Sequence, residues 1–124
     1  MMNYLYVGLG GFIGAVGRYA ATGLVQRLFP VSFFPLGTWT VNLIGSFLLG
    51  YLAVFAESHL IPSSLRIFLF MGILGGFTTF SAFTFETLML IRSQQYSLAL
   101  FYTLGQLFTG VFAAVAGFWL ARLS

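Results

Sequence analysis

The stretch "GGFTTFSAFTFE", Gly75 to Glu86, decides how this chain is read. It holds two glycines, four hydroxyl residues and four phenylalanines, and it closes on a carboxylate. It lies inside an apolar run from about Leu65 to Ile91. Such a run is long enough to cross a bilayer, which takes about 20 apolar residues. A plain membrane helix requires none of these features. Paired glycines add backbone freedom, and the threonines that follow are stiff at χ1. Non-helical backbone at membrane depth survives only where protein or a polar cavity satisfies it. The pattern therefore predicts a membrane helix broken near its middle. The alternative is a continuous helix that uses Gly72 and Gly76 for close packing.

The rest of the chain fits a lipid solvent. It has 124 residues, 60% of them hydrophobic and only 6% charged. A soluble domain of this size has too much surface per volume to hide that much apolar area. Cysteine is absent, which removes disulfide, thiolate and zinc-knuckle chemistry. Five arginines against two acidic residues are too few and too scattered for a nucleic-acid surface. The N-terminus is apolar without a basic leader, so it reads as retained and not as a cleaved signal. No Ser/His/Asp set, metal cluster or phosphate loop points to an enzyme.

Four spans emerge, at about 4–24, 36–56, 65–91 and 98–120, forming one all-α membrane domain over residues 1–124. "RLFPVSFFPLG", "ESHLIPSSLR" and "RSQQYS" connect them. Short connections make neighbouring helices antiparallel and place both termini on one side. That side carries Arg66 and Arg122, and the other carries Arg18, Arg27 and Arg92. Such a balance gives almost no positive-inside bias. It is either uninformative or the mark of a chain that inserts both ways and pairs antiparallel. Four helices fill their own core, so a polar route would lie between subunits. The pairs Gly10/Gly14, Gly72/Gly76 and Ala113/Gly117 suit close helix approach.

The polar residues within the spans need partners or a task. Thr38, Asn42 and Gly45 share one face of the second span. Asn42 is either an interhelical hydrogen bond or an amide donor facing an anion. Phe77, Phe80 and Phe83 follow at intervals of three, with Phe85 just off that line. Phe80 and Phe83 can border one groove, and aromatic edges carry positive potential that tolerates an anion. Thr79, Ser81 and Thr84 would add donors. Tyr102, Gln106 and Thr109 form a polar face on the fourth span, suited to a conduit wall or a subunit seam. Arg18 can snorkel to headgroups or hold anions at a vestibule mouth. Glu86 is an intramembrane carboxylate and so a functional candidate, unless a hydroxyl or arginine merely caps it. His59 has no assigned role.

These residues resemble the bacterial fluoride channels, called Fluc or CrcB, over essentially the whole chain. The likeness rests on "GGFTTFSAF" in the third of four spans, "GTWTVNLIGS" in the second and "GRY" after a glycine-rich first. The resemblance implies an antiparallel, dual-topology homodimer with two pores at its interface. It implies that Asn42 coordinates fluoride and that Phe80 and Phe83 line the pore across the two subunits. Ser81, Thr84 and Glu86 stand where relatives carry polar residues near the pore. Tyr102 matches a tyrosine on the polar track, and Arg18 matches an arginine at the vestibule. Carbonyls of Gly75 and Thr78, from both subunits, would hold a central structural sodium ion. The implied setting is the bacterial cytoplasmic membrane, with passive fluoride export as the task. Two positions depart: Ala82 replaces a threonine of many relatives, and Gln106 stands where some carry a smaller hydroxyl residue.

The rival is a four-span, dual-topology, proton-coupled small multidrug exporter. That chemistry uses a buried carboxylate, usually in the first helix. The first span here has no acidic residue, and Arg18 has the wrong sign for a cationic substrate. A non-transporting scaffold subunit would account for the glycines but not for Asn42, Phe80 and Phe83 together.

Overall fold

The structure is a computed structural model and describes residues 1–30 and 34–124; the middle of "RLFPVSFFPLG" lies outside the described residues. The chain is helical, with no strand among the described residues. Helix α1 is Met2–Leu28 and α2 is Leu36–Glu57. The helical run Ser63–Arg92 is α3, and Tyr96–Leu123 is α4. Helices α2, α3 and α4 are long and apolar enough to cross a membrane. Helix α1 has the length, at 27 residues, but its glycines, Arg18, Gln26 and Arg27 dilute its hydropathy.

The molecule is apolar on the outside. Leu5, Leu9, Phe12, Ile13 and Val16 of α1 are exposed, as are Leu104, Leu107, Phe108, Val111 and Phe112 of α4. Water would make this surface unstable, whereas acyl chains match it. Val41 and Tyr102 are the largest fully buried side chains.

Helix α3 changes character twice. Ile67–Leu74 is wound with i→i+5 bonds, and Gly75 N–H donates back to the Phe70 carbonyl. Nothing in the apolar run "IFLFMGIL" signals this wider turn. Gly75–Phe77 then continues as α-helix. The break follows the glycines: Thr78 (φ −83°, ψ 157°) and Thr79 (φ −149°, ψ 124°) are both extended. Gly75 itself keeps helical dihedrals, φ −62° and ψ −37°. Thr79 then caps the second half, Phe80–Arg92, its Oγ1 accepting from Ala82 N–H at 3.1 Å.

The break also changes partners. Before it, α3 lies mainly on α1; after it, α3 turns to α4, while α2 packs chiefly on α4. Glycines permit the close approaches. A Cβ on Gly76 would stand 2.7 Å from the Gly11 carbonyl oxygen, and one on Gly10 would stand 2.8 Å from the Gly72 Cα. Gly117 lies equally tight against the Phe47 backbone of α2. The small residues expected to pack do so, and Gly76 serves packing while the threonines carry the break.

Two helices, α2 and α3, are followed by left-handed residues that are not glycine: His59 (φ 59°) and Gln94 (φ 60°). In each, the next amide reaches back across the helix end, Leu60 N–H to the Phe55 carbonyl and Gln95 N–H to the Leu90 carbonyl. This is the Schellman arrangement, and it gives His59 a backbone role.

Candidate functional site

Three polar side chains are buried among the described residues: Thr38, Thr79 and Gln106. Thr79 stands at the break in α3, Gln106 reaches it through Asn42, and Thr38 shares a cavity with Thr79. Thr79 N–H donates to Asn42 Oδ1 at 2.8 Å, and Asn42 Nδ2 donates to the Thr79 carbonyl at 3.0 Å. Asn42 Nδ2 also donates to Gln106 Oε1. A primary amide has two donor hydrogens. Both donors of Asn42 are therefore engaged inside the chain, and its carbonyl is engaged as well. The interhelical role expected as one alternative is what this conformation realises.

Beside the amides runs an open groove of about 420 Å³, lined by Asn42, Thr79, Phe80, Phe83 and Gln106 among others. Phe80 and Phe83 have ring centroids 5.7 Å apart, and Phe83 lies 5.5 Å from the Tyr102 ring. Phe80 is 66% exposed. Tyr102 is held from behind by edge contacts with Phe34 and Trp39. Its hydroxyl donates to Glu86 Oε2 at 2.7 Å, and Thr38 donates to Glu86 Oε1 at 2.8 Å. Glu86 thus receives a hydroxyl on each oxygen, as charge-assisted bonds favour.

A second cavity of about 340 Å³ lies on the other side of Thr79 and is lined by Arg18, Thr22, Thr38, Thr79, Ala82 and Glu86 among others. Arg18 Nε donates to the Gly76 carbonyl at 3.1 Å. Arginine at the C-terminal end of a half-helix also opposes its dipole. Arg18 spends Nε on Gly76 while Glu86 takes its donors from two hydroxyls, so opposite charges share the cavity without bonding each other. Thr79 is common to both spaces.

The structure brings Asn42, Phe80, Phe83 and Tyr102 together, and puts Arg18 in the adjoining cavity. Ser81 and Thr84 stand apart from both. Ser81 is exposed and shares a 3.3 Å contact with Thr79 Oγ1, while Thr84 donates to the Ser81 carbonyl of its own helix. The polar face of α4 divides: Tyr102 and Gln106 are buried, whereas Thr109 is exposed and accepts from Trp39 Nε1 at 2.9 Å. At the break, the Gly76 and Thr79 carbonyls are taken by Arg18 and Asn42. Among the described residues, no side chain bonds the carbonyls of Gly75 or Thr78. Sequence reasoning offered Thr79 as a donor and Gln106 as part of a polar face, but missed that both meet Asn42. The signal for Thr79 is a threonine at the N-cap of the second half-helix.

Comparison with known proteins places the chain. Residues 5–118 match the family described as "CrcB-like protein, Camphor Resistance (CrcB)". A "Fluoride-specific ion channel FluC 1" of Moorella thermoacetica is 44% identical over 98% of this chain and 87% of its own. A "Fluoride-specific ion channel FluC" of Thermus thermophilus is 42% identical over 95% of this chain and 94% of its own. One from Campylobacter fetus is 39% identical over 95% and 92%. With a family match over nearly its whole length, this multi-pass membrane chain belongs to the CrcB-like family.

Proposed function

We propose that this chain is a fluoride-selective channel, acting as an antiparallel pair of copies in the bacterial cytoplasmic membrane. The observation that carries the reading is the groove itself: a half-buried Asn42 and a buried Gln106 beside Phe80 and Phe83, open on one side. A second copy laid against that side would enclose it. Near-balanced arginines let a chain insert in either orientation, and all four helices then span. The names of the relatives from Moorella, Thermus and Campylobacter point to the same ion.

The chemistry suits a small, strongly hydrated anion. Replacing its water takes several donors at once. Asn42 lines the groove with Phe80 and Phe83, and Tyr102 packs against Phe83; Ser81 and Thr84 lie outside the groove of the single chain and would join the route only in the pair. Arg18 concentrates anions at the entrance. The carbonyls of Gly75 and Thr78 carry no side-chain partner among the described residues, which suits a hard cation that takes oxygen ligands. Two carbonyls per chain are too few for sodium, so both copies would contribute, and the ion's charge would ease anion entry into a low dielectric. Passive flux then lets fluoride leave the cell down its gradient.

The test is efflux from liposomes. Purified protein is reconstituted with potassium fluoride inside, valinomycin is added, and a fluoride electrode follows release beside a chloride-loaded sample. Rapid fluoride release with negligible chloride release supports the reading. Demonstrably dimeric protein that releases no fluoride overturns it.

A further inference from the structure

Helix α2 holds both residues that link the two halves of α3. Asn42 takes the backbone of Thr79. Three residues further on, on the same face, the buried Gly45 takes the side chain of Thr78. A Cβ built on Gly45 would overlap Thr78 Cγ2, and it would stand 3.5 Å from the Phe77 ring and 3.7 Å from Thr78 Cβ. Gly45 lies inside α2, and no glycine among the described residues has a positive φ. Glycine inside a helix is less stable than alanine, so its use here lies in the space it leaves. That space seats one methyl group, which cannot easily move. Thr78 Oγ1 donates to the Leu74 carbonyl at 2.9 Å, beside the Thr78 N–H at 3.0 Å, and the two bonds close the first half of α3. A β-branched side chain with its oxygen held in this way has its methyl fixed as well. Turning the methyl away from α2 gives up the bond to Leu74. Thr78 and Thr79 are extended, and Phe80 opens the second half immediately after them. Gly45, Thr78, Phe80 and Phe83 all line the same groove.

We propose that Gly45 is a positioning residue of this channel: its bare Cα seats the Thr78 methyl and so sets where the second half of α3 carries Phe80 and Phe83. The proposal deepens the fluoride reading above and rests on it. The carbon added by Gly45→Ala pushes Thr78 off α2, as overpacking does where no side chain can yield. Thr79 follows Thr78 in the chain and holds the bonds to Asn42, and Phe80 comes next, so the Asn42 pairing and the ring shift together. The remedy is a smaller residue at the other partner. Thr78→Ser keeps the hydroxyl for Leu74 and drops only the methyl, so the pair of changes conserves volume across the contact.

The experiment compares full-length wild type, Gly45→Ala and the double variant Gly45→Ala/Thr78→Ser, each shown to be dimeric and helical. Fluoride efflux is followed from liposomes, and hydrogen exchange at the Thr79 amide is followed in lipid nanodiscs. Gly45→Ala is expected to slow efflux and to speed exchange at Thr79, each by roughly tenfold or more. The double variant is expected to regain most of both. A change that only loosened the bundle would not be repaired by removing a second methyl. Full-rate efflux or unchanged Thr79 exchange in Gly45→Ala overturns the proposal. So does a double variant no better than Gly45→Ala. Wild-type protein that releases no fluoride overturns the channel reading instead, and exchange at Thr79 then decides by itself whether Gly45 seats the break. If Gly45→Ala does not assemble, the double variant decides: recovered assembly with efflux supports the proposal, and a failure to assemble overturns it.

Discussion

Asn42 and Thr79 exchange both of their polar functions: the Thr79 amide and carbonyl are each paired with the side chain of Asn42, at 2.8 Å and 3.0 Å. A strand neighbour would offer the same pair of bonds. Here one amide side chain replaces it, at the point where α3 ceases to be helical. That makes the break a property of two helices together.

Asn42→Ala therefore leaves two buried backbone groups unpaired. Each costs about 1–3 kcal/mol. The expected outcome is a lower unfolding temperature, faster hydrogen exchange at the Thr79 amide and loss of fluoride efflux. Protection at Thr79 that survives the substitution would show that α3 holds its break without α2.

Phe80 is largely uncovered in the single chain, whereas Phe85, also exposed, does not line the groove. Phe80→Ile is expected to slow fluoride efflux by roughly tenfold or more, which is ~1.4 kcal/mol on the barrier. Phe85→Ile serves as the control and keeps its flux. Both variants elute as dimers from a sizing column if the ring acts on the ion and not on assembly. Equal flux in the two would remove Phe80 from the pathway.

Tyr102 does two jobs, one through its hydroxyl on Glu86 and one through ring contacts with Phe34, Trp39 and Phe83. Tyr102→Phe keeps the ring contacts and loses a hydrogen bond to a carboxylate, about 1.5–3 kcal/mol. Tyr102→Leu loses the aromatic contacts as well and is expected to cost more, by about 0.5–1.5 kcal/mol per ring pair. Thermal unfolding of the two variants side by side measures the difference. Equal midpoints would mean that the ring contacts contribute nothing.

Gly14 faces the backbone of α3, where an added Cβ would stand 2.8 Å from the Phe77 nitrogen and closer still to the Ile73 carbonyl. Backbone on both sides leaves no side chain to move aside. Gly14→Ala is expected to destabilise by about 1–3 kcal/mol, as overpacking does. At Gly8, nothing lies within 4 Å of the added carbon. Gly8→Ala is expected to stabilise the helix by about 0.5–1 kcal/mol. Opposite shifts in the unfolding temperature check the pair, and a neutral Gly14→Ala would show that α1 can slide away from α3.

Much was legible in the order of residues alone. Apolar runs of about 20 residues name lipid as the solvent and set the helices. The doubled glycine and threonine of "GGFTTF" mark where α3 is weakest, because those residues change local backbone freedom. Phe80 and Phe83 declare a shared edge through their spacing. The partners of that edge are another matter. Asn42 meets a residue 37 positions away and Gln106 one 64 positions away. Helical periodicity assigns a side chain to a face, but not the neighbour that face meets. The same limit hid the division of the α4 polar face, where Gln106 turns inward while Thr109 serves Trp39 at the surface. It also hid the placing of the break at Thr78 and Thr79 while Gly75 stays helical. The sequence by itself determined the solvent, the helices and the weak point. Tertiary structure decided which polar groups satisfy each other, because a hydrogen bond depends on a position and direction that only the packing of distant segments provides.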